Sequence, residues 1–164
     1  YIPWVCITGG EPLYQPTELY ELVRLFKRNG LSIEVETNGS IPKPPWWALV
    51  DSWVADIKCP SSGVCGTSLE QDWFDTRFRD QVKLVVGTKD DLDFARKVIC
   101  RNRAKNPIVL VSPVAKTLHG TDLCSDPVGW DRGWLQEVAE FCKEMRVRFS
   151  LQVHKVVWGN RKGV

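Results

Sequence analysis

The chain has 164 residues, 43% of them hydrophobic, enough for one globular core and too few to argue for two. Its 22 basic and 20 acidic residues leave a net charge of +2, which excludes the strong field of a nucleic-acid or anionic-membrane binder and favours a small-molecule partner. The longest apolar runs, at 82–86 and 108–111, fall far short of the roughly 20 residues that span a bilayer, so no membrane association is expected.

A β-rich run at 4–8 leads into Gly9, Gly10, Glu11 and Pro12. Thr17 predicts the cap of a helix running to about Asn29, with Leu19, Leu22, Val23 and Phe26 on one face and Gly30 as its stop. A strand at 32–36 alternates Ile33 and Val35 with Glu34 and Glu36, and opens into Thr37, Asn38 and Gly39. Residues 41–47, IPKPPWW, form a proline-stiffened connection to a strand at 53–57, which ends at Asp56, Ile57 and Lys58. After a strand at 82–86, Thr88 and Asp91 form a capping-box pattern ahead of the apolar stripe Leu92, Ala95, Val98 and Ile99. A fifth strand at 108–112 ends at Ser112 and Pro113, and residues 117–133 read as a long loop. The spacing of Leu135, Val138, Ala139, Cys142 and Met145 predicts a third helix. The last strand, 147–153, alternates Val147, Phe149, Leu151 and Val153 with Arg148, Ser150, Gln152 and His154.

Strands alternating with amphipathic helices predict an α/β fold with mostly parallel strands. Two of those strands have one apolar and one polar face, as in a barrel that turns its apolar side to outer helices and its polar side to a ligand-filled interior. Ligands of such folds gather at the carboxyl ends of the strands. Gly9 and Gly10 let backbone approach a ligand there, and Glu11 can accept hydrogen bonds from an ammonium group. Thr37, Asn38 and Gly39 also make a good turn, His154 suits a solvent-facing strand end as well as a ligand role, and Lys58 could form a surface ion pair. Cys6, Cys59, Cys65, Cys100, Cys124 and Cys142 contain no CxxC pair, which predicts reduced structural thiols in the cytoplasm. Cys59 and Cys65 are close in sequence but read as non-ligands.

The motif TGGEP after an apolar strand resembles the cofactor-binding segment of radical S-adenosylmethionine enzymes. With EVETNGS at 34–40, ADIKCPSSG at 55–63, QVKLVVGTKDDLDFA at 81–95, VSPVA at 111–115 and SLQVHKVVWGNRKGV at 150–164, nearly the whole chain is similar to the 7-carboxy-7-deazaguanine synthase family. The resemblance implies an incomplete (β/α) barrel of about six strands, forming a single domain over 1–164. It implies that Gly9, Gly10, Glu11, Asp56, Lys58, Ser112 and Pro113 bind S-adenosylmethionine, and that Thr8, Glu36, Asn38, His154 and the carboxylate of Val164 face the substrate. Two departures stand out: Asp56-Ile57 replaces the family's Ser-Pro before Lys58, and Ser112 replaces a glutamine.

The reaction so implied uses a 4Fe-4S cluster, S-adenosylmethionine and Mg2+ to convert 6-carboxy-5,6,7,8-tetrahydropterin into 7-carboxy-7-deazaguanine with loss of ammonia. A flavodoxin- or ferredoxin-type electron donor and a homodimer come with it. The family's CxxxCxxC cluster loop is not found in the sequence, and neither is its Mg2+-binding Thr. The first residues, YIPWVCITGG, lack an initiator Met and the layout of a signal peptide, so the expectation is a chain cut inside its barrel and catalytically silent by itself. Two rivals are another radical activating enzyme and a non-catalytic module that binds S-adenosylmethionine or a pterin.

Overall fold

The computed structural model describes residues 3–117, 128–129 and 131–159. Strands β1 (Trp4–Ile7), β2 (Ser32–Thr37), β3 (Ser52–Ile57), β4 (Gln81–Val86) and β5 (Ile108–Pro113) are followed by the two-residue strands β6 (Lys116–Thr117), β7 (Val128–Gly129) and β8 (Arg148–Phe149). The helices are α1 (Pro16–Arg28), α2 (Glu70–Phe74), α3 (Lys89–Arg101), α4 (Arg132–Met145) and α5 (Val153–Trp158). The main sheet runs β1-β2-β3-β4-β5-β8 with every pair parallel, and β6 and β7 form a separate antiparallel pair. This is the expected incomplete (β/α) barrel of six parallel strands. Sequential neighbours paired in parallel demand crossovers, and α1 and α3 supply two of them.

One face of the sheet is apolar because the strands alternate. Ile33 and Val35, Trp53, Ala55 and Ile57, and Val82, Leu84 and Val86 are all buried, together with Leu19 and Val23 of α1, Leu92, Ala95 and Val98 of α3, and Val138, Phe141 and Cys142 of α4. Burying each such aliphatic side chain contributes about 1.5–3 kcal/mol. The indoles of Trp46, Trp53 and Trp73 continue this core beneath the proline-rich connection, with ring centroids 6.4 and 5.5 Å apart. The opposite face carries Cys6, Glu34, Glu36, Asp56 and Lys83, the residues that alternate with the buried set.

The capping box of α3 is present, with Thr88 Oγ1 accepting from the Asp91 N–H and Asp91 accepting in return from the Thr88 N–H. Two expectations need correction. Thr17 lies inside α1, which starts at Pro16 behind Gln15, a residue without a side-chain cap. Proline at the first helical position has its φ already set and gives up only an N–H that would be unpaired anyway. The strand expected at 147–153 pairs only through Arg148 and Phe149, and α5 begins at Val153. Its partner β5 ends at Pro113, which has no N–H to donate, so the ladder closes with the Ser150 N–H on the Val111 carbonyl at 2.9 Å.

Candidate functional site

Thr8, Gly10, Glu36, Thr37, Asn38, Val54, Asp56, Lys58 and Lys83 line a cavity of about 170 Å³ at the carboxyl ends of β1 to β4. Gly9 and Gly10 turn the chain out of β1 at φ 93° and 59°, in the left-handed region that favours glycine, and a Cβ at either would meet open space. Backbone is therefore bare where a ligand could lie against it. The Thr8 hydroxyl donates to Glu36 at 3.4 Å across the mouth of the cavity.

Glu11 is buried and already engaged. One carboxylate oxygen accepts from the Leu13 N–H at 3.0 Å and the Thr37 hydroxyl at 2.8 Å, and the other accepts from the Asn38 N–H at 2.6 Å. It fastens the glycine turn to the end of β2, and its second oxygen retains acceptor capacity. Asn38 is held in turn, its side-chain oxygen accepting from the Ser40 N–H at 2.8 Å, which is the turn reading of this segment.

At the end of β3, Asp56 Oδ2 accepts from the Lys58 ammonium at 2.6 Å, while Asp56 Oδ1 is buried without a partner among the described residues. The Ser68 hydroxyl braces this corner, accepting from the Lys58 N–H at 3.1 Å. Further along the sheet Ser112 is fully buried, and its hydroxyl also lacks a partner among the described residues. Unpaired buried polar atoms cost about 1–3 kcal/mol each, and Asp56 and Ser112 each carry one.

Behind this site the loop after β3 is locked to β4 by Asp91. Its carboxylate accepts from the Ser61 N–H at 2.8 Å, the Ser61 hydroxyl at 2.5 Å and the Gly87 N–H at 2.7 Å. Burial opposes its charge, but the Ser61 hydroxyl and the N–H groups of Ser61, Gly87 and Thr88 outweigh it and hold the carboxyl below the usual range.

The structure thus gathers Thr8, Gly10, Glu36, Asn38, Asp56 and Lys58 around one cavity. His154 lies apart from it, exposed on α5, and Val164 lies outside the described residues. Sequence reasoning passed over Cys6, whose sulfur lies within 4.8 Å of carboxylate oxygens of Glu34 and Glu36. Burial, then Glu36 and Glu34, push the Cys6 thiol up. Burial also raises Glu34, the Ser52 hydroxyl holding it back in part. The two-residue period that pairs Cys6 with Glu34 across β1 and β2 was the available signal. Lys83 was passed over too, hidden in an apolar run. A larger open cavity, about 770 Å³, lies at the other end of the strands, rimmed by Arg103, Lys105, Arg146 and Arg148.

The fold is shared with solved structures of low sequence identity. A domain of pyruvate-formate lyase-activating enzyme from Bacteroides vulgatus superposes with a TM-score of 0.63 at 11% identity, over 90% of this chain and 97% of that one. Streptococcus suis SuiB bound to S-adenosylmethionine superposes with a TM-score of 0.60 at 12% identity, over 93% of this chain and 41% of that one. No protein-family model matches the chain. Its sequence is 38% identical over 157 residues to the 7-carboxy-7-deazaguanine synthase of Methanospirillum hungatei, covering 94% of this chain and 58% of that protein. The enzymes of the same name from Koribacter versatilis and Bacillus cereus are each 31% identical, with 93% and 98% of this chain covering 67% and 68% of theirs. The chain belongs to the 7-carboxy-7-deazaguanine synthase family, and it spans between 58% and 68% of the length of these three relatives.

Proposed function

We propose that this chain supplies the cofactor- and substrate-binding face of a radical lyase that converts 6-carboxy-5,6,7,8-tetrahydropterin into 7-carboxy-7-deazaguanine with loss of ammonia. The observation that carries this reading is the convergence of Thr8, Gly10, Glu36, Asn38, Asp56 and Lys58 on one cavity in a chain of this family. The bare glycine turn and the unpaired atoms of Asp56 and Ser112 fit S-adenosylmethionine. Gly9, Gly10, Glu11, Asp56, Lys58, Ser112 and Pro113 would hold it, the free acceptor capacity of Glu11 and Asp56 suiting its ammonium group and hydroxyls. When bound it supplies the hydrogen-abstracting radical. Thr8, Glu36 and Asn38 would take the amino and amide edges of the pterin, with acceptors and donors in alternation. His154 and Val164 remain candidates for closing the same pocket.

The 4Fe-4S cluster does not fit the described residues, since no three cysteines converge among them: Cys59 and Cys142 are buried, and Cys65 and Cys100 are exposed elsewhere. Mg2+ does not fit the group of Cys6, Glu34 and Glu36 either, because a thiol is a soft donor and this one is pushed toward its protonated form. No helix among the described residues is long and apolar enough to cross a membrane. The same reading carries a single barrel domain, a flavodoxin- or ferredoxin-type electron donor, a homodimer and a cytoplasmic location. Anaerobic reconstitution of the full-length protein with its cluster, followed by an assay for 7-carboxy-7-deazaguanine, tests the proposal. A fully loaded protein that forms no product would sink it.

A further inference from the structure

Asn38 and Lys58 both line the cavity, and both lie past the ladder that joins their strands: β2 ends at Thr37 and β3 at Ile57, and the last register pair is Thr37 with Ala55. Sheet pairing therefore does not set the gap between them. Ser68, in the loop ahead of α2, reaches both. Its half-buried hydroxyl accepts from the Lys58 N–H at 3.1 Å. It also lies 3.1 Å from the Asp56 carbonyl oxygen and 3.4 Å from that of Asn38, so its one proton can be given to either strand end. The next residue adds a second tie, the Leu69 N–H donating to the Gly39 carbonyl at 2.7 Å.

The junction is closely packed. Gly39 turns at φ 74°, and a Cβ there would meet the Asp56 carbonyl oxygen at 3.1 Å and the Ser68 Cβ at 3.6 Å. Ser68 is itself held from behind by α2. Trp73 and Phe74 of that helix are buried in the core, the Trp73 indole N–H donates to the Ile41 carbonyl at 3.2 Å, and Asp72 accepts from the Lys43 N–H at 2.8 Å. Ser68 does not line the cavity; it touches backbone of the residues that do. A side chain so placed acts on the spacing of the two strand ends and not on a ligand directly.

Resting on the proposed lyase reading, we infer that Ser68 is a positioning residue for that reaction: it ties the candidate substrate corner at Asn38 to the candidate cofactor corner at Asp56 and Lys58, and so holds the two ligands at the spacing that hydrogen abstraction needs. Reacting atoms must sit about 3–3.5 Å apart, and a displacement of about 1 Å costs on the order of a hundredfold in rate. Loss of the tie therefore acts on kcat, because Asn38, Asp56 and Lys58 keep their own side chains for ligand binding.

The test uses the full-length, cluster-loaded protein under anaerobic conditions, with steady-state formation of 7-carboxy-7-deazaguanine and calorimetric binding of 6-carboxytetrahydropterin and of S-adenosylmethionine, each alone. Ser68→Ala should lower kcat about tenfold or more while the KM and Kd of either ligand change less than about threefold, and Ser68→Thr, which keeps the hydroxyl, should recover most of the rate. Gly39→Ala wedges the same junction from the β2 side with Ser68 intact and should reproduce the loss in kcat. An unchanged kcat in Ser68→Ala, a loss confined to the KM of one ligand, or a Ser68→Thr protein as slow as Ser68→Ala would overturn the role of Ser68. Should Ser68→Ala fail to fold, a folded Gly39→Ala with full kcat overturns it instead. An unsubstituted protein that forms no product overturns the lyase reading itself, so the two failures are distinct. Thermal melts of the three variants, with unfolding transitions like that of the unsubstituted protein, exclude misfolding as the cause.

Discussion

The carboxylate of Glu11 and the hydroxyl of Thr37 meet at 2.8 Å although 26 residues separate them. The same carboxylate accepts two backbone N–H groups, so a single buried side chain sets the distance between the ends of β1 and β2. Glu11→Gln replaces one of its two acceptor oxygens with a donor and leaves an N–H group facing another. The expected cost is about 1–3 kcal/mol, read as a lower urea midpoint. An unchanged midpoint would show that Glu11 is free to serve ligand alone.

Ser112 predicts the opposite sign. Its buried hydroxyl has no partner among the described residues, so Ser112→Ala removes a desolvated group without breaking a bond. The ligand-free protein should be as stable or up to about 1–2 kcal/mol more stable, while S-adenosylmethionine should raise its melting temperature less than it does for the unsubstituted protein. A stability loss would place a hidden partner on this hydroxyl.

Acid should unfold the protein through its aspartates. Asp80 is buried and accepts from the Trp53 N–H at 3.0 Å and from the Arg77 guanidinium at 2.8 Å. Burial opposes its charge, but Arg77, Thr76 and the Trp53 N–H prevail and hold its carboxyl below the usual range, as Lys27 and the Ile33 N–H do for Asp51. A carboxyl depressed by folding contributes stability that is present above its ordinary value of 3.8 and is lost as pH falls through the lower, folded value. Stability should therefore be level near neutrality and decline once pH drops below about 4. Asp80→Asn should flatten that decline and cost about 3–5 kcal/mol at pH 7, because it leaves Arg77 without its charge partner. Denaturant melts across the acid range read both effects.

Thiol labelling should separate the cysteines. Burial, then Asp91 and Asp56, push the Cys59 thiol up to about 12, and burial pushes Cys142 up to about 11. Since the thiolate is the reactive form, maleimide or iodoacetamide at pH 8 should modify exposed Cys65 and Cys100 first and reach Cys59 and Cys142 only on unfolding. Mass spectrometry of the labelled peptides decides this, and early labelling of Cys59 would contradict its burial.

The order of strands and helices, the parallel sheet and the capping box of α3 were readable because each depends on local periodicity or on residues three or four apart. The meeting of Thr8, Gly10, Glu36, Asn38, Asp56 and Lys58 around one cavity was readable because parallel strands bring their carboxyl ends together whatever the loops do. Sequence alone did not set the end of the last strand: its alternation of Val147, Phe149, Leu151 and Val153 continues, but Pro113 on β5 stops the pairing. Nor could it separate ties from free groups. Glu11 and Asp91 are internal fasteners, and Lys83 is left unpaired among the described residues, because the partners of each are fixed by which side chains the sheet register and the β3–β4 loop bring within 3 Å. Local chemistry decided which residues could bind a ligand; the packing of distant strands decided which of them still had a hydrogen bond or a charge to offer.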